Sequence, residues 1–263
     1  ENTTELDLSN SGLTGEIPPE IGNLTNLTRL WLHDNQLSGE IPESICDLDI
    51  SWGGGEFNIS NNQFCPPYPS CINVNLEEQN LINCNDVVEL WGEYFSIEYT
   101  TELDLSNSGL TGEIPPEIGN LTNLTSFNLT GNQLTGEIPT GIGSLTNLIE
   151  LSLGWNLLTG SIPKEIGNLT NLTDLNLEFN EFTGFFPSEI GNLTNLTGLN
   201  ISNIQLTGEI PSELWSLTNL THLDLERNQL TGEIPTGIGS LTNLIELSLG
   251  WNQFTGSIPE EIG

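Results

Sequence analysis

The chain has 263 residues, of which 36 are Asp or Glu and only 3 are Lys or Arg, giving a formal charge of −33. Phosphate backbones and anionic membrane surfaces call for a basic footprint that is missing here, which argues against nucleic acid and against such membranes as partners. The 35% hydrophobic content is too high and too regular for a disordered acidic tail, and no run approaches the ~18 consecutive apolar residues of a membrane span.

The first element is a short strand around Leu6, and its frame recurs down the chain as Leu-x-Leu-x-x-Asn-x-Leu-Thr-Gly-x-Ile-Pro. The leading position falls at Leu6, Leu30, Phe57, Leu103, Phe127, Leu151, Leu175, Leu199, Leu223 and Leu247, which makes ten turns; from Leu103 onward the spacing is 24 residues every time. Leu6 and Leu8 alternate with Asp7, so both are expected to point to one side of the strand, the core side. Leu13, Ile17, Ile21, Leu24 and Leu27 extend this into an apolar ring around the turn. One turn cannot bury such a ring alone, so neighbouring turns must stack.

The bends between strands carry backbone groups that need partners. Asn35, Asn62, Asn132, Asn156, Asn180, Asn228 and Asn252 stand where an inward amide can supply them. Ser11, Ser108 and Ile204 interrupt this ladder; the serines replace part of the bonding, whereas Ile204 marks a weak point. The segment LTGEIPPEIGNLTNLT resembles the plant-type leucine-rich repeat of receptor-kinase ectodomains and polygalacturonase-inhibiting proteins, a repeat also present in bacterial surface proteins. The resemblance covers nearly the whole chain outside Cys65 to Ser96. It implies a right-handed, curved repeat solenoid with a parallel β-sheet on the concave face. It also implies a second extended segment near Thr14 to Ile17 and short 3-10 or extended pieces on the convex side.

The regular spacing breaks between the third and fourth turns, where all 4 cysteines lie. A clustered, even set in a repeat protein implies capping disulfides and an oxidising compartment, hence an extracellular or cell-surface location. There is no CxxC, and His33 and His222 lie outside the cluster, which disfavours zinc. Four cysteines allow three pairings. Cys46 and Cys71 fall at nearly the same place on consecutive turns, which favours Cys46–Cys71 and leaves Cys65–Cys84. Two arrangements fit this region. In one, residues 1–84 form a first short array with a Cys-rich closing cap. Residues 85–263 then form a second array with an opening cap at 87–99, in which Trp91, Tyr94 and Phe95 cover the first core layer, followed by seven 24-residue turns. In the other, a single solenoid carries a decorated insertion.

Met is absent and the chain starts at Glu1, which reads as a processed chain or a segment of a longer one. The stretch IEYTTELDL at Ile97 to Leu105 repeats the opening ENTTELDL, yet only the later copy follows a cap, and the closing SIPEEIG has no cysteine cap. Open turns of that kind are expected to continue in a longer protein or to meet other copies.

Residues beside the inward leucines face the concave surface, which is polar and acidic with isolated aromatics. Trp155, Phe179 and Trp251 are candidate anchors, since exposed aromatics often carry interface energy. Trp31, His33, Glu226 and Arg227 complete the candidate partner-binding set. The glutamates Glu16 and Glu40, Glu113 and Glu137, and Glu209 and Glu233 repeat in one slot. They form a solvated acidic edge, or a loose site for divalent cations; no EF-hand loop is present. Asn-x-Ser/Thr occurs at Asn2, Asn23, Asn26, Asn58, Asn120, Asn123, Asn128, Asn168, Asn171, Asn192, Asn195, Asn200 and Asn219, candidate glycosylation positions whose density follows from the NLTNLT repeat.

No GxSxG, HExxH, phosphate loop or Cys/His pair is present, and the acidic pairs recur with the repeat, so neither an enzyme nor a cofactor is expected. Two functions remain. One is an extracellular recognition or adhesion module for a protein or peptide ligand. The other is a structural subunit whose copies stack end to end into a filament.

Overall fold

The computed structural model describes residues 3–52, 55–66, 68–72, 79, 84 and 87–262. The chain divides into two compact units, the first spanning Glu1–Val87 with Tyr94–Tyr99 and the second Val88–Glu93 with Thr100–Gly263. Each is a stack of turns of one design, a repeat solenoid.

In the second unit seven three-residue strands form one parallel sheet: Glu102–Asp104, Ser126–Asn128, Glu150–Ser152, Asp174–Asn176, Gly198–Asn200, His222–Asp224 and Glu246–Ser248. Each central residue pairs with the one 24 positions on, as in Leu151 with Leu175 and Leu175 with Leu199. The strands are short because the repeat turns away after the second inward leucine. Those leucines, with Ile118, Leu121 and Leu124 and their equivalents, are buried from Leu121 to Leu241, while Leu247 and Leu249 of the last strand are half-buried. Beyond the sheet, a Pro sets φ near −65° and opens a single 3-10 turn, as at Pro139 before Thr140–Ser144. A second extended piece pairs locally between turns, for example Thr183–Phe185 with Gln205–Gly208.

The first unit holds a three-stranded parallel sheet, Glu5–Asp7, Arg29–Trp31 and Phe57–Asn58, over a core that includes Leu30, Ile45, Phe57 and Phe64. Its second extended row begins at Thr14–Gly15, paired with Gln36 and Leu37. Disulfides join Cys46 to Cys71 and Cys65 to Cys84, with Cα–Cα distances of 5.7 and 5.6 Å. Most of the polar stretch between Ile72 and Asp86 lies outside the described residues. In the intended opening cap, Val88 and Leu90 are buried while Trp91 is half-buried and Tyr94 is exposed.

Leu6 is half-buried and packs against this core, as its alternation with Asp7 implies, whereas Leu8 is 37% exposed.

The asparagine ladder works as a set of clamps between turns. Asn156 accepts from the Leu134 N–H at 3.1 Å and donates to the carbonyls of Leu129 and Leu153 at 3.0 Å. Asn180 and Asn228 repeat this with Leu158 and Leu206. Ile204 fills the next slot as a buried apolar residue, so the Phe182 N–H has no side-chain amide to meet. The backbone bond from Gln205 to Phe182 is nevertheless kept at 2.9 Å.

Candidate functional site: the sheet faces

The outward side chains of each strand line up in columns, one spacing (~4.8 Å) per turn. Asp or Asn at the residue after the inward leucine closes a small turn by accepting the backbone N–H two positions on. Asp104 does so with Ser106 at 2.9 Å, Asn128 with Thr130 at 3.0 Å, and Asp224 with Glu226 at 2.9 Å. That N–H, with the Ser106 hydroxyl, holds the Asp104 carboxyl below the ordinary carboxylate value, and the Ser9 hydroxyl and N–H do the same for Asp7.

Four residues after each inward leucine the backbone enters the left-handed region. Asn107 and Asn203 occupy it at φ 53° and 54°, as expected of the residue type that tolerates it best after glycine. Trp155, Phe179, Arg227 and Trp251 hold the same conformation at φ 56°, 48°, 54° and 55°. For bulky side chains this geometry costs about 1–2 kcal/mol each. Trp155 stacks on Phe179 with ring centroids 3.9 Å apart, remains 53% exposed, and donates from Nε1 to Glu178 at 3.2 Å. Trp251 is 76% exposed beneath the Arg227 guanidinium, 5.7 Å from the ring centre, and Arg227 also pairs with Glu226 at 3.4 Å.

Trp31 and His33 stand on the separate sheet of the first unit. The Trp31 indole donates to the Gly55 carbonyl at 2.9 Å, and Arg29 lies 6.0 Å over its ring while bonding Glu5 at 2.7 Å. His33 Nε2 is 4.0 Å from Asp34, and its Nδ1 is shielded from solvent without a partner among the described residues. The candidate residues thus fall into two groups, one on each unit's own sheet.

The column preceding the inward leucine was not singled out in the sequence, although the same alternation puts it on the same face. It reads Glu102, Ser126, Glu150, Asp174, Gly198, His222 and Glu246. Part of it lines a shallow groove of about 430 Å3, together with Ser152, Asn176, Asn200 and Asp224. Around this groove the face carries many carboxylates and a single arginine, Arg227.

The sequons differ in setting. Asn58, Asn128 and Asn200 lie on the sheet faces with their side-chain oxygens accepting backbone N–H groups at 3.0, 3.0 and 3.1 Å. Asn171, Asn195 and Asn219 donate to Thr carbonyls of the preceding turn at 2.8 Å. Asn23, Asn120, Asn168 and Asn192 are exposed where 3-10 turns end. Asn26 and Asn123 belong to the same NLTNLT segments, and Asn2 lies outside the described residues.

Leucine-rich repeat models match residues 170–230 and also 2–24, 26–48, 99–121, 123–145, 147–169 and 243–263, well over half of the chain. No curated protein sequence matches it. Among solved structures, the Arabidopsis receptor kinase HAESA, in complex with the peptide hormone IDA and the co-receptor SERK1, is 31% identical with a TM-score of 0.60. That match covers 99% of this chain and 36% of HAESA. The ectodomain of the Arabidopsis thaliana membrane receptor kinase GASSHO1/SCHENGEN3, in complex with CASPARIAN STRIP INTEGRITY FACTOR 2, is 31% identical with a TM-score of 0.57 over 98% of this chain and 34% of its own. The Leptospira interrogans leucine-rich repeat protein LIC12759 is 31% identical with a TM-score of 0.52 over 94% and 66%. This chain therefore spans about a third of the length of the two plant receptors. With the repeat models spread along most of its turns and the same stacked architecture throughout, the chain belongs to the leucine-rich repeat family.

Proposed function

We propose that this chain is a non-catalytic, extracellular recognition module that holds a protein or peptide ligand on the sheet face of its second unit. The observation that carries this is the Trp155–Phe179 stack, exposed at Trp155 and half-buried at Phe179, kept in a backbone conformation that disfavours both residues. Strain of this kind persists where a side chain is needed for something besides the fold. Exposed aromatics on a polar face offer a large, rigid contact area at small entropic cost. Among the similar structures, HAESA is in complex with a peptide hormone, which supports a peptide-sized ligand, and the two disulfides suit an oxidising exterior. The repeat accounts for the acidic residues without any catalytic role.

Selection from a library of random displayed peptides against the immobilised chain tests this reading. Trp155→Ala combined with Trp251→Ala is expected to weaken capture of the selected peptides by at least about tenfold while thermal stability is kept. Capture that survives both substitutions overturns it.

A further inference from the structure

Residues 136–156 recur without a change at 232–252, so Trp155 and Trp251 stand in turns of identical sequence. They also share one backbone conformation, at φ 56° and 55°. What differs is the turn before each. Arg227 donates its N–H to the Gly250 carbonyl at 2.9 Å, and its guanidinium lies over the Trp251 ring, 5.7 Å from the centre, while pairing with Glu226 at 3.4 Å. In the earlier copy the same ladder bond, to the Gly154 carbonyl at 3.0 Å, comes from Gly131, which has no side chain to lay on Trp155.

The first unit holds the same combination on its own sheet, where Arg29 lies 6.0 Å over the Trp31 ring and bonds Glu5 at 2.7 Å. Both arginines of this chain thus rest on a sheet-face tryptophan with a glutamate beside them. A guanidinium is planar, is more weakly hydrated than an ammonium, and is drawn to the negative face of an indole. Trp155 has the glutamate without the arginine. Glu178 leans back across Gly154, its Cγ 3.1 Å from where a Cβ would stand there, and its Oε1 accepts the Trp155 Nε1–H at 3.2 Å. That leaves acceptor capacity at Oε2 for a further donor.

Phe179 of the following turn covers one face of the Trp155 indole, with ring centroids 3.9 Å apart. A ring stacked on one face and bonded at its N–H stays 53% exposed only through its other face and edge. The Asn107 side-chain oxygen fills the place of the Cβ that Gly131 lacks, so the exposed feature is the indole face itself and not a hole beneath it.

We propose that the free face of Trp155 receives an arginine side chain of the bound peptide, in the position that Arg227 takes over Trp251, with Glu178 as its carboxylate partner. This rests on the sheet-face reading and names the ligand residue that the face selects. A chain with 3 Lys or Arg and a net charge of −33 has few cations of its own, and electrostatic complementarity favours a partner that brings one.

The test is an NMR titration of the isotopically labelled full chain with Nα-acetyl-arginine methylamide, read at the tryptophan indole N–H signals, with the neutral citrulline analogue as control. A saturable shift of the Trp155 signal is expected with arginine and not with citrulline, and none at Trp251. Arg227→Gly uncovers Trp251 at a position whose φ of 54° glycine adopts readily, and is expected to add a second saturable shift there. Gly131→Arg supplies the guanidinium from within and is expected to weaken binding at Trp155 by at least about tenfold. Arg227 shows that this slot admits arginine at positive φ, and the Asn107 tip that the new side chain displaces is free to turn aside. No shift at Trp155, equal shifts with citrulline, a silent Trp251 in Arg227→Gly, or undiminished binding by folded Gly131→Arg would overturn the assignment. If that happens while peptide capture still depends on Trp155, only the arginine assignment falls. Loss of Trp155-dependent capture removes the sheet-face reading itself.

Discussion

Four residues beyond each inward leucine, the fold asks for a side chain that tolerates a positive φ, and the chain supplies Asn107, Gly131 and Asn203 at three of seven places in the second unit. Trp155, Phe179, Arg227 and Trp251 take the others against that preference. Trp251 is the cleanest case, since it packs little and is largely exposed. Trp251→Asn is therefore expected to raise stability by about 1 kcal/mol through relief of backbone strain, read by denaturant unfolding. A loss of stability would show that the indole is held for packing. Trp155 and Trp251 were legible as exposed from their place beside the inward leucines, whereas Phe179 is half-buried under Trp155. Their strain was not legible, because a repeat frame shows which residue departs from Asn or Gly but not the backbone angle that makes the departure costly.

At the scale of the turn, the repeated glutamates find a structural cause that spacing alone did not reveal. All but Glu40, whose next turn has Phe64 in the slot, lie over the glycine of the next turn: an added Cβ at Gly136, where φ is +76°, would come within 2.8 Å of Glu113 Cγ, and Gly232 and Gly256 stand likewise against Glu209 and Glu233. Phe185 replaces the glutamate in one turn and covers Gly208 instead. The asparagine ladder was readable in the sequence, since a side-chain amide offers two donors and an acceptor with the reach to span a buried bend. Ile204 shows what a missing rung leaves behind: its turn stays packed and keeps its backbone bonds, but the Phe182 N–H loses its acceptor. Amide hydrogen exchange at Phe182 is expected to run faster than at Leu158 and Leu206, whose N–H groups meet Asn180 and Asn228 at 3.0 Å. Equal protection at all three would contradict the role given to the ladder. The groove is lined from both sides of the inward leucines, by Asp174 and His222 as well as Asn176 and Asp224, and a repeat frame does not show how deep such a face is.

Over the whole molecule, a net charge of −33 loads the folded state with repulsion that salt relieves. The melting temperature is expected to rise as NaCl goes from ~10 mM to ~0.5 M, a change that shortens the screening length several-fold; a flat response would show that the carboxylates are already neutralised by bound cations. The same imbalance gives the sheet face its sign and makes a basic ligand the natural complement. The stacking of turns was plain from the 24-residue period, because each turn's apolar ring demands a neighbour. Two arrays, 1–84 and 85–263, and one solenoid with an insertion fit the irregular cysteine region equally, since nothing in that region's spacing says where stacking resumes. The claim that the second unit's sheet face is the binding surface is tested most directly by photo-crosslinking. A photoreactive residue at Ser152, on the sheet, is compared with one at Glu165, on the 3-10 side of the turns. The account predicts that a selected peptide is captured from Ser152 and not from Glu165; capture from Glu165 alone, or equally from both, would contradict it.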